Sequence, residues 1–299
     1  MSKIHGGNIF QFAHEQRIEL YEVIDFSANI NPLGPSQRGL SALESQLRYI
    51  SHYPDATNDD ILNAIADIYG MNKNQIVVGN GAAELLYAIC RLPGYTGAFV
   101  PAPGFSEYKT ALEASRIPVR DIYYRPREDE HGKPYFEVPY LALETFAAEL
   151  KGQDGRIIVF LGNPNNPDGT LLDKNHIFTI ASMLKDANSL LVIDESFIDF
   201  VGNDTLQDNE YSMRSLVNEF DNIIVVHSFT KFYAVPGLRI GAAFSDPLII
   251  EQINSFIPTW SVNTLAQAYT EAALNDVEYV KRTKQELREE QGFMYSSLD

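Results

Sequence analysis

Short apolar runs recur along the chain, and most of them end in small or polar residues. A continuous apolar run of about 4–8 residues between turn residues predicts a buried strand. Such runs lie at 75–78, 97–100, 157–161, 190–193 and 223–226, and another follows residue 239. Helical patterns alternate with these runs from about residue 61 to residue 248. This rhythm predicts an α/β fold with a mostly parallel central sheet flanked by helices.

Two helices stand out in the pattern of apolar positions. The first has an apolar stripe at helical spacing, formed by Ile61, Ala64, Ile65 and Ile68. Asn58 or Asp59 can cap its start, and Gly70 is expected to end it. The segment from Asn263 onwards is predicted to form one long helix, whose apolar stripe gives way to charged residues.

Lys231 follows the run at 223–226 and stands among residues that can hold a phosphate. Because a lysine at the end of a buried strand is poorly hydrated, its amine can stay neutral and nucleophilic. Ser228, Thr230 and Arg239 place hydroxyl groups and a positive charge beside it. The alternative is an ordinary surface lysine that happens to follow a strand. The neighbouring hydroxyl groups and arginine argue against this alternative. The combination is what pyridoxal 5'-phosphate (PLP) requires, so we predict that PLP binds covalently to Lys231.

Asp194 ends the run at 190–193 and is the candidate partner for the nitrogen of a bound pyridine ring. Its position predicts that it lies at the carboxyl edge of the sheet, where open α/β sheets bind ligands. A carboxylate there would keep the ring nitrogen protonated. Glu195 competes for this role. Since side chains alternate along a strand, only one of the two carboxylates can point at the ring.

A glycine-rich turn joins the strand at 75–78 to a helical pattern that begins near Leu85. Gly81, Ala82 and Ala83 have small side chains, so their backbone N–H groups can approach a phosphate at the helix N-terminus. Many strand-to-helix turns have this composition, which makes a plain junction the alternative. Because a phosphate site is also predicted around Lys231, we expect these three residues to contribute to it.

The lysine and aspartate motifs resemble those of the fold-type I aminotransferases, a superfamily of PLP-dependent enzymes. The loop Asn-Pro-Asn-Asn-Pro at 163–167 strengthens the resemblance. The resemblance implies that Asp194 is the partner of the ring nitrogen and that Asn166 donates to the phenolic oxygen of the ring. It further implies that Phe105 stacks on the ring. Phe197 stands where many relatives have a tyrosine that hydrogen-bonds the phenolic oxygen.

Two N-terminal motifs narrow the resemblance. The motifs are His-Gly-Gly-Asn at 5–8 and Asn-Ile-Asn-Pro-Leu-Gly-Pro at 29–35. With them, the chain resembles the threonine-phosphate decarboxylases, which are relatives of the histidinol-phosphate aminotransferases. This resemblance covers 4–298. It implies a homodimer in which Tyr53 reaches the cofactor phosphate of the neighbouring subunit. It also implies a small anionic amino-acid substrate that contacts His5, Asn29, Asn31 and Tyr108.

The resemblance implies that the chain is divided into three parts. Residues 1–35 would form an arm that covers the substrate, and residues 36–255 would form the large PLP-binding domain. Residues 256–299 would begin a small C-terminal domain, which in relatives continues and supplies an arginine for the substrate carboxylate. We therefore expect a truncated chain that binds PLP but holds anionic substrates weakly.

Composition narrows the possible partners. The 299 residues are 45% hydrophobic and 21% charged, and the net charge is -17. No basic stripe offsets this charge, which argues against binding to nucleic acid or to an acidic membrane. Cys90 is the single cysteine, so an internal disulfide is excluded and a reducing cytoplasm is favoured. The N-terminus lacks the apolar core of a signal peptide, no run approaches the ~20 apolar residues that span a bilayer, and no metal site is predicted.

The predicted reaction is decarboxylation of O-phospho-L-threonine to 1-aminopropan-2-ol phosphate, a step of cobalamin biosynthesis. An aminotransferase that acts on histidinol phosphate or another amino acid is the alternative. The two outcomes differ in which bond of the substrate's α-carbon stands perpendicular to the cofactor ring. A non-catalytic binding protein on the same fold is a third possibility, against which the retained Lys231, Asp194, Asn166 and Arg239 argue.

Overall fold

Strands and helices alternate along most of the chain, as the apolar pattern predicts. The computed structural model describes residues 6–130, 132–150, 155–207 and 209–298. The strands within these ranges are β1 (Ile76–Gly79), β2 (Tyr95–Ala102), β3 (Val119–Tyr123), β4 (Arg125–Glu128), β5 (Pro134–Glu137), β6 (Arg156–Gly162), β7 (Leu190–Asp194), β8 (Ile223–Ser228) and β9 (Gly241–Phe244). The α-helices are α1 (Ile9–Gln16), α2 (Gln37–Gln46), α3 (Asp59–Tyr69), α4 (Gly81–Ile89), α5 (Glu107–Ala114), α6 (Tyr140–Glu149), α7 (Lys174–Asp186), α8 (Phe229–Phe232), α9 (Pro247–Ser255), α10 (Thr264–Leu274) and α11 (Val277–Leu298).

One large sheet forms the centre of the protein, with the strand order β1-β9-β8-β7-β6-β2-β3. From β8 to β3 every neighbouring pair is parallel, whereas β9 is antiparallel to both β1 and β8. Strands β4 and β5 form a separate hairpin. The predicted mostly parallel sheet is confirmed. Its parallel strands β6, β7 and β8 bring their carboxyl ends to the same edge.

Apolar side chains cover both faces of the sheet. In β7, Leu191 and Ile193 pack into the core on one face, and Leu190 and Val192 pack into the core on the other. Every residue of this strand is buried. An unbroken apolar run of this kind is expected where helices cover both faces of a parallel strand. The first polar residue, Asp194, therefore comes where the strand leaves the core.

Helix α3 ends as predicted but is capped differently at its start. Gly70 ends the helix in the left-handed conformation, with φ of 65°. Asn58 occupies the N-cap position, as predicted, but the expected side-chain cap is wrong, because the Asn58 side chain forms no capping hydrogen bond. The Asp55 carboxylate accepts the Asp59 N–H at 3.2 Å, while Asn58 Oδ1 accepts a hydrogen bond from Gln267 Nε2 at 3.0 Å. The long-range contact with Gln267 uses the oxygen that would otherwise cap the helix.

The prediction of one long helix from Asn263 is also wrong, because the segment forms α10 and α11 with a break between them. Asp276 lies in the break. Its Oδ1 accepts the Tyr279 N–H at 3.1 Å, and its Oδ2 accepts the Ser36 hydroxyl at 2.6 Å. Since aspartate is a preferred residue at a helix N-terminus, this side chain both starts α11 and attaches it to the N-terminal part of the chain.

The last two helices pack on elements from the middle and the start of the chain. Helix α10 lies against α2 and α3, and α11 contacts the 3-10 helix Ile198–Phe200. Lys284 in α11 is buried, and its Nζ donates to the Val201 carbonyl at 2.6 Å. Among the described helices, none combines the length and the apolar character needed to cross a membrane.

Gly39 in α2 lies against the ring of Tyr269 in α10, where a larger side chain has no room. A Cβ at Gly39 would lie 2.6 Å from the ring. We expect Gly39→Ala to lower the free energy of unfolding by about 1–3 kcal/mol, the usual cost of overpacking. Gly292→Ala in α11 is the matched control, because beyond its own helix backbone and chain neighbours no described atom lies within 4 Å of the added methyl group. Urea denaturation measures both variants, and wild-type stability of Gly39→Ala would contradict this packing.

Candidate active site

A cavity of about 360 Å³ opens at the carboxyl edge of the sheet. This edge is where open α/β folds bind ligands, and small-molecule sites usually have volumes of about 300–1,000 Å³. The predicted site residues that line the cavity are Asn29, Ala83, Phe105, Tyr108, Asn166, Asp194, Lys231 and Arg239. The fold therefore brings together residues that lie far apart in the sequence.

Lys231 lies in the short helix α8, directly after β8. Burial lowers the pKa of its amine below the ordinary value of 10.5, the nearby Arg239 lowers the pKa further, and Asp194 raises it. A lowered pKa increases the fraction of neutral amine near neutral pH. This is the state that a nucleophilic lysine needs.

Asn31 holds the backbone around Lys231 and does not line the cavity. Its N–H donates to the Lys231 carbonyl at 3.1 Å, and its Nδ2 donates to the Phe232 carbonyl at 2.8 Å. The Tyr279 hydroxyl donates to the same Phe232 carbonyl at 2.9 Å. Carbonyls at a helix C-terminus need such donors, because they have no partner inside the helix. The predicted substrate contact of Asn31 is corrected accordingly: the side chain is buried and positions α8.

Asp194 and Glu195 point to opposite faces of the sheet, as the alternation of a strand predicts. Asp194 lines the cavity, whereas Glu195 is buried on the other face. The Glu195 carboxylate accepts the Ser212 hydroxyl at 2.7 Å and the Met213 N–H at 2.6 Å, and it lies 3.4 Å from Arg214 Nη1. Of these two carboxylates, Asp194 is therefore the one available to a ligand in the cavity.

Three hydrogen bonds orient the Asp194 carboxylate. Its Oδ1 accepts the Ser196 N–H at 2.9 Å and the Ser196 hydroxyl at 2.5 Å, and its Oδ2 accepts the Tyr108 hydroxyl at 2.8 Å. The Tyr108 ring is buried and stacks on Phe160, with ring centroids 5.2 Å apart. Tyr108 lines the cavity, but its polar group is directed at Asp194. It therefore positions the carboxylate, and its contact with a substrate stays a prediction.

The predicted phosphate site contains the hydroxyl groups of Ser228 and Thr230 and the guanidinium of Arg239. The Ser228 and Thr230 hydroxyls are 2.9 Å apart, and both residues are buried near the end of β8. Arg239 Nη1 donates to the Pro236 carbonyl at 3.1 Å, while the rest of the exposed side chain reaches the cavity. Such groups form strong hydrogen bonds to an anion.

The N-terminus of α4 lies directly against this cluster. Gly81 has a left-handed backbone, with φ of 79°, and a Cβ there would lie 2.2 Å from Arg239 Nη2. Gly241 is constrained by backbone instead, because its Cβ would lie 2.6 Å from the Ala82 nitrogen and 2.8 Å from the His227 carbonyl oxygen. Ala82 and Ala83 follow in the first turn of the helix. Because the first N–H groups of a helix have no partner inside it, this turn offers donors to an anion.

Of the three asparagines in the loop after β6, one faces the cavity. Asn163 Nδ2 donates to the Tyr211 carbonyl at 2.8 Å, and Asn165 Nδ2 donates to Asp168 Oδ1 at 2.6 Å. Both of these asparagines are buried. Asn166 lines the cavity. It is therefore the asparagine of this loop that could contact a cofactor there, and its predicted contact with the phenolic oxygen stays a prediction.

Besides Asn31, the predicted residues Gly81, Ala82, Ser228, Thr230 and Tyr53 do not line the cavity, and His5 lies outside the described residues. Tyr53 is 78% exposed and does not line the cavity; its ring stacks on Trp260 with ring centroids 4.5 Å apart. His5 lies outside the described residues, although Gly6, which follows it, lines the cavity. Phe105 lines the cavity and meets the Tyr108 ring edge to face.

Sequence reasoning missed Ser196 and the positioning roles of Asn31 and Tyr108. Ser196 had a local signal, because the side chain of an aspartate often accepts the N–H two residues later. The partners of Asn31 and Tyr108 lie far away in the sequence, and no local pattern predicts them.

The chain belongs to the aminotransferase class I and II family, as its motifs predict. The model of this family, described as "Aminotransferase class I and II", matches residues 21–299. The match confirms the superfamily and the fold class that were expected from the lysine and aspartate motifs.

Three relatives illustrate the family. The adenosylcobalamin biosynthesis bifunctional protein CobDQ of Leptospira interrogans is 34% identical over 285 residues, which cover 95% of this chain and 31% of that protein. The threonine-phosphate decarboxylase of Salmonella typhimurium is 34% identical over 300 residues, which cover 98% of this chain and 76% of that protein. A histidinol-phosphate aminotransferase from Sinorhizobium meliloti, solved in complex with pyridoxal-5'-phosphate, has a TM-score of 0.71 at 25% identity, covering 86% of this chain and 66% of that one.

The charges around Lys231 predict how its pKa responds to substitution. Asp194→Asn removes the negative charge that raises the pKa of Lys231, so we expect that pKa to fall further below 10.5. The rate at which cofactor-free protein captures PLP covalently should rise with pH as the amine loses its proton. In Asp194→Asn the midpoint of this rise should move to lower pH.

Stopped-flow absorbance measures this rate, and Asp204→Asn, which alters an exposed carboxylate paired with Arg288, is the control. An unchanged or higher midpoint in Asp194→Asn would contradict the assigned geometry.

Proposed function

We propose that this protein is a PLP-dependent enzyme that decarboxylates O-phospho-L-threonine to 1-aminopropan-2-ol phosphate. The observation that carries the proposal is one cavity lined by Lys231, Asp194 and Arg239. These residues fit the three ends of the cofactor: a covalent anchor, a partner for the ring nitrogen and a clamp for the phosphate. Bound PLP would supply an electron sink for the bond that breaks at the substrate's α-carbon.

Each residue of the proposed cofactor site has a proposed role. Lys231 would hold the cofactor and move a proton at the substrate's α-carbon. Asp194, oriented by Tyr108, would keep the ring nitrogen protonated. Asn166 would donate to the phenolic oxygen, and Phe105 would cover the face of the ring. The phosphate would be held by Gly81, Ala82, Ala83, Ser228, Thr230 and Arg239.

The proposed substrate is supported by the N-terminal arm and by the relatives. Gly6, Ser27 and Asn29 form part of the cavity wall, and the Gly7 N–H donates to the Ser27 hydroxyl at 2.7 Å. The arm that carries the motifs of the threonine-phosphate decarboxylases is thus next to the proposed cofactor site. The 34% identity with the Salmonella typhimurium enzyme of that name supports the same substrate class.

We also propose that the chain has three parts: an arm at 1–35, a large PLP-binding domain at 36–255 and the start of a small domain at 256–299.

An aminotransferase that acts on histidinol phosphate is the second candidate. Its support is the likeness to the PLP-bound Sinorhizobium meliloti enzyme at 25% identity. In both reactions Lys231 would anchor the cofactor and Asp194 would be the partner of the ring nitrogen. They differ in the orientation of the substrate's α-carbon, which is a matter of small changes in position.

A product assay distinguishes the two reactions. We expect the purified protein, supplied with PLP and O-phospho-L-threonine, to release carbon dioxide and form 1-aminopropan-2-ol phosphate. Glutamate formation from histidinol phosphate and 2-oxoglutarate is measured in parallel and should be much slower. Lys231→Ala should abolish both activities, because no amine remains to bind the cofactor. Glutamate formation without decarboxylation would favour the aminotransferase, and the absence of both products would contradict both candidates.

We also propose a homodimer in which Tyr53 of each subunit contacts the cofactor phosphate of the other. Tyr53 is exposed and lies outside the cavity of its own chain. Other large apolar side chains in the first part of the chain are also exposed, namely Tyr21, Ile24, Phe26 and Ile50. Exposed apolar residues in such number are typical of a protein–protein interface.

A mixture of two variants, each with a different defect in the active site, tests whether the site is shared between subunits. Lys231→Ala removes the covalent anchor, and Tyr53→Ala removes the proposed contact to the partner's phosphate. In a mixed dimer one site would carry both changes and the other would carry neither. After refolding an equal mixture, we expect about a quarter of all sites to bind PLP as tightly as wild type, since half of the dimers are mixed.

Absorbance titration of covalently bound PLP measures these sites, and unmixed variants are the control. A mixture that equals the average of its two components would contradict the shared site.

A further inference from the structure

Trp260 is the residue that holds the Tyr53 ring in place. The two rings stack with centroids 4.5 Å apart and an angle of 25° between their planes. Trp260 is half exposed and is the single tryptophan of the chain. Its backbone is left-handed, with φ of 62°, which is uncommon for a bulky residue and persists only where neighbours impose it.

Polar contacts hold both partners of this stack. Gln267 Nε2 in α10 lies 3.1 Å from the Asp55 carbonyl, 3.0 Å from Asn58 Oδ1 and 3.0 Å from the Val262 carbonyl. One amide group thus connects the loop that carries Tyr53 to the segment that carries Trp260. The stack and this amide together fix the position of one segment relative to the other.

The segment of Trp260 is also attached to the proposed phosphate site of its own chain. The Ser261 hydroxyl donates to Glu84 Oε2 in α4, and the same oxygen accepts the Asn80 N–H at 2.7 Å. Asn80 immediately precedes the helix turn that contains Gly81 and Ala82. A continuous set of contacts therefore runs from the start of α4 through Ser261 to the Trp260–Tyr53 stack.

We propose that Trp260 is a positioning residue that orients Tyr53 toward the cofactor phosphate of the second copy of this chain. The proposal rests on the proposed function, in which Tyr53 completes the partner's site. An exposed tyrosine on a loop has several side-chain orientations available, and restricting them before binding raises affinity. The stack restricts the ring, and among the described residues the Tyr53 hydroxyl has no hydrogen-bond partner, so it could reach the second copy.

A different role for Trp260 would give a different pattern of affinities. If the residue only supported α4 through Ser261, its loss would weaken PLP binding in its own subunit. If it acts through Tyr53, its loss weakens PLP binding in the other subunit. The two roles can therefore be separated by asking which subunit of a mixed dimer loses affinity.

Single and double variants measure the coupling between the two rings. We expect Trp260→Ala to weaken PLP binding about tenfold, and Tyr53→Ala to weaken it at least as much. The double variant should bind no more weakly than Tyr53→Ala, because a positioning residue has no effect once its target is absent. Trp260→Phe, which keeps an aromatic ring, should fall between Trp260→Ala and wild type.

Phe178→Ala is the matched control, since Phe178 is similarly exposed and its ring packs on Phe220 away from the cavity. It should leave PLP affinity unchanged. Circular dichroism and sedimentation confirm that each variant is folded and has the association state of wild type. Tyr53→Ala should also change the fluorescence of Trp260, because it removes the ring stacked on the single tryptophan.

Subunit mixing then decides between the two roles. A mixed dimer of Lys231→Ala and Trp260→Ala keeps Lys231 in the Trp260→Ala subunit, and the Tyr53 that reaches this site comes from a chain with an intact Trp260. We therefore expect about a quarter of all sites in an equal mixture to bind PLP as tightly as wild type.

If Lys231→Ala and Tyr53→Ala complement each other but Lys231→Ala and Trp260→Ala do not, the proposed role of Trp260 is overturned. The shared site would still stand in that case. Failure of both mixtures would overturn the shared site and this proposal with it. Additive losses in the double variant, or unchanged affinity in Trp260→Ala, would also overturn the proposal.

Discussion

The carboxyl end of β7 places two adjacent carboxylates on opposite faces of one buried strand, and the rest of the site depends on this division. A buried carboxylate is costly unless hydrogen bonds or an opposite charge compensate it. Asp194 receives three hydrogen bonds from Tyr108 and Ser196, which orient it into the cavity. On the other face, Glu195 accepts hydrogen bonds from Ser212 and Met213 and forms an ion pair with Arg214. Each carboxylate is thereby confined to a single role, one in the cavity and one in the core.

The same edge of the sheet depends on segments from both ends of the chain. Helix α8 is a single turn, so it cannot by itself fix the direction of the Lys231 side chain. Its carbonyl groups are held by Asn31 from the N-terminal arm and by the Tyr279 hydroxyl from α11, and the next carbonyl, of Tyr233, accepts the Tyr269 hydroxyl from α10. Asn31 and the last two helices therefore contribute to the site through the backbone around the lysine, without lining the cavity themselves.

Local patterns predicted β1, β2, β6, β7, β8 and β9, the placement of Lys231 and Asp194 at strand ends and the start of α4, because each of these depends on a short run of residues and on where that run leaves the core. Strands β3, β4 and β5 contain no continuous apolar run and were not predicted. The same patterns failed where a distant contact decides the outcome. Asn31 reads as part of a ligand-covering loop, yet the carbonyls of α8 occupy its amide. The break between α10 and α11 follows from the contact of Asp276 with Ser36, which a continuous helical pattern conceals. The partner of Tyr53 is likewise visible only in three dimensions.

The central claim is that one amine, that of Lys231, binds the cofactor at the edge of this sheet. Borohydride reduction of the PLP-loaded protein makes the bond permanent, and peptide mapping by mass spectrometry then locates it. The account predicts a single major adduct, on the peptide that contains Lys231, and its loss when Lys231 is replaced by alanine. A major adduct on any other lysine, or an adduct of equal yield in the alanine variant, would contradict the account.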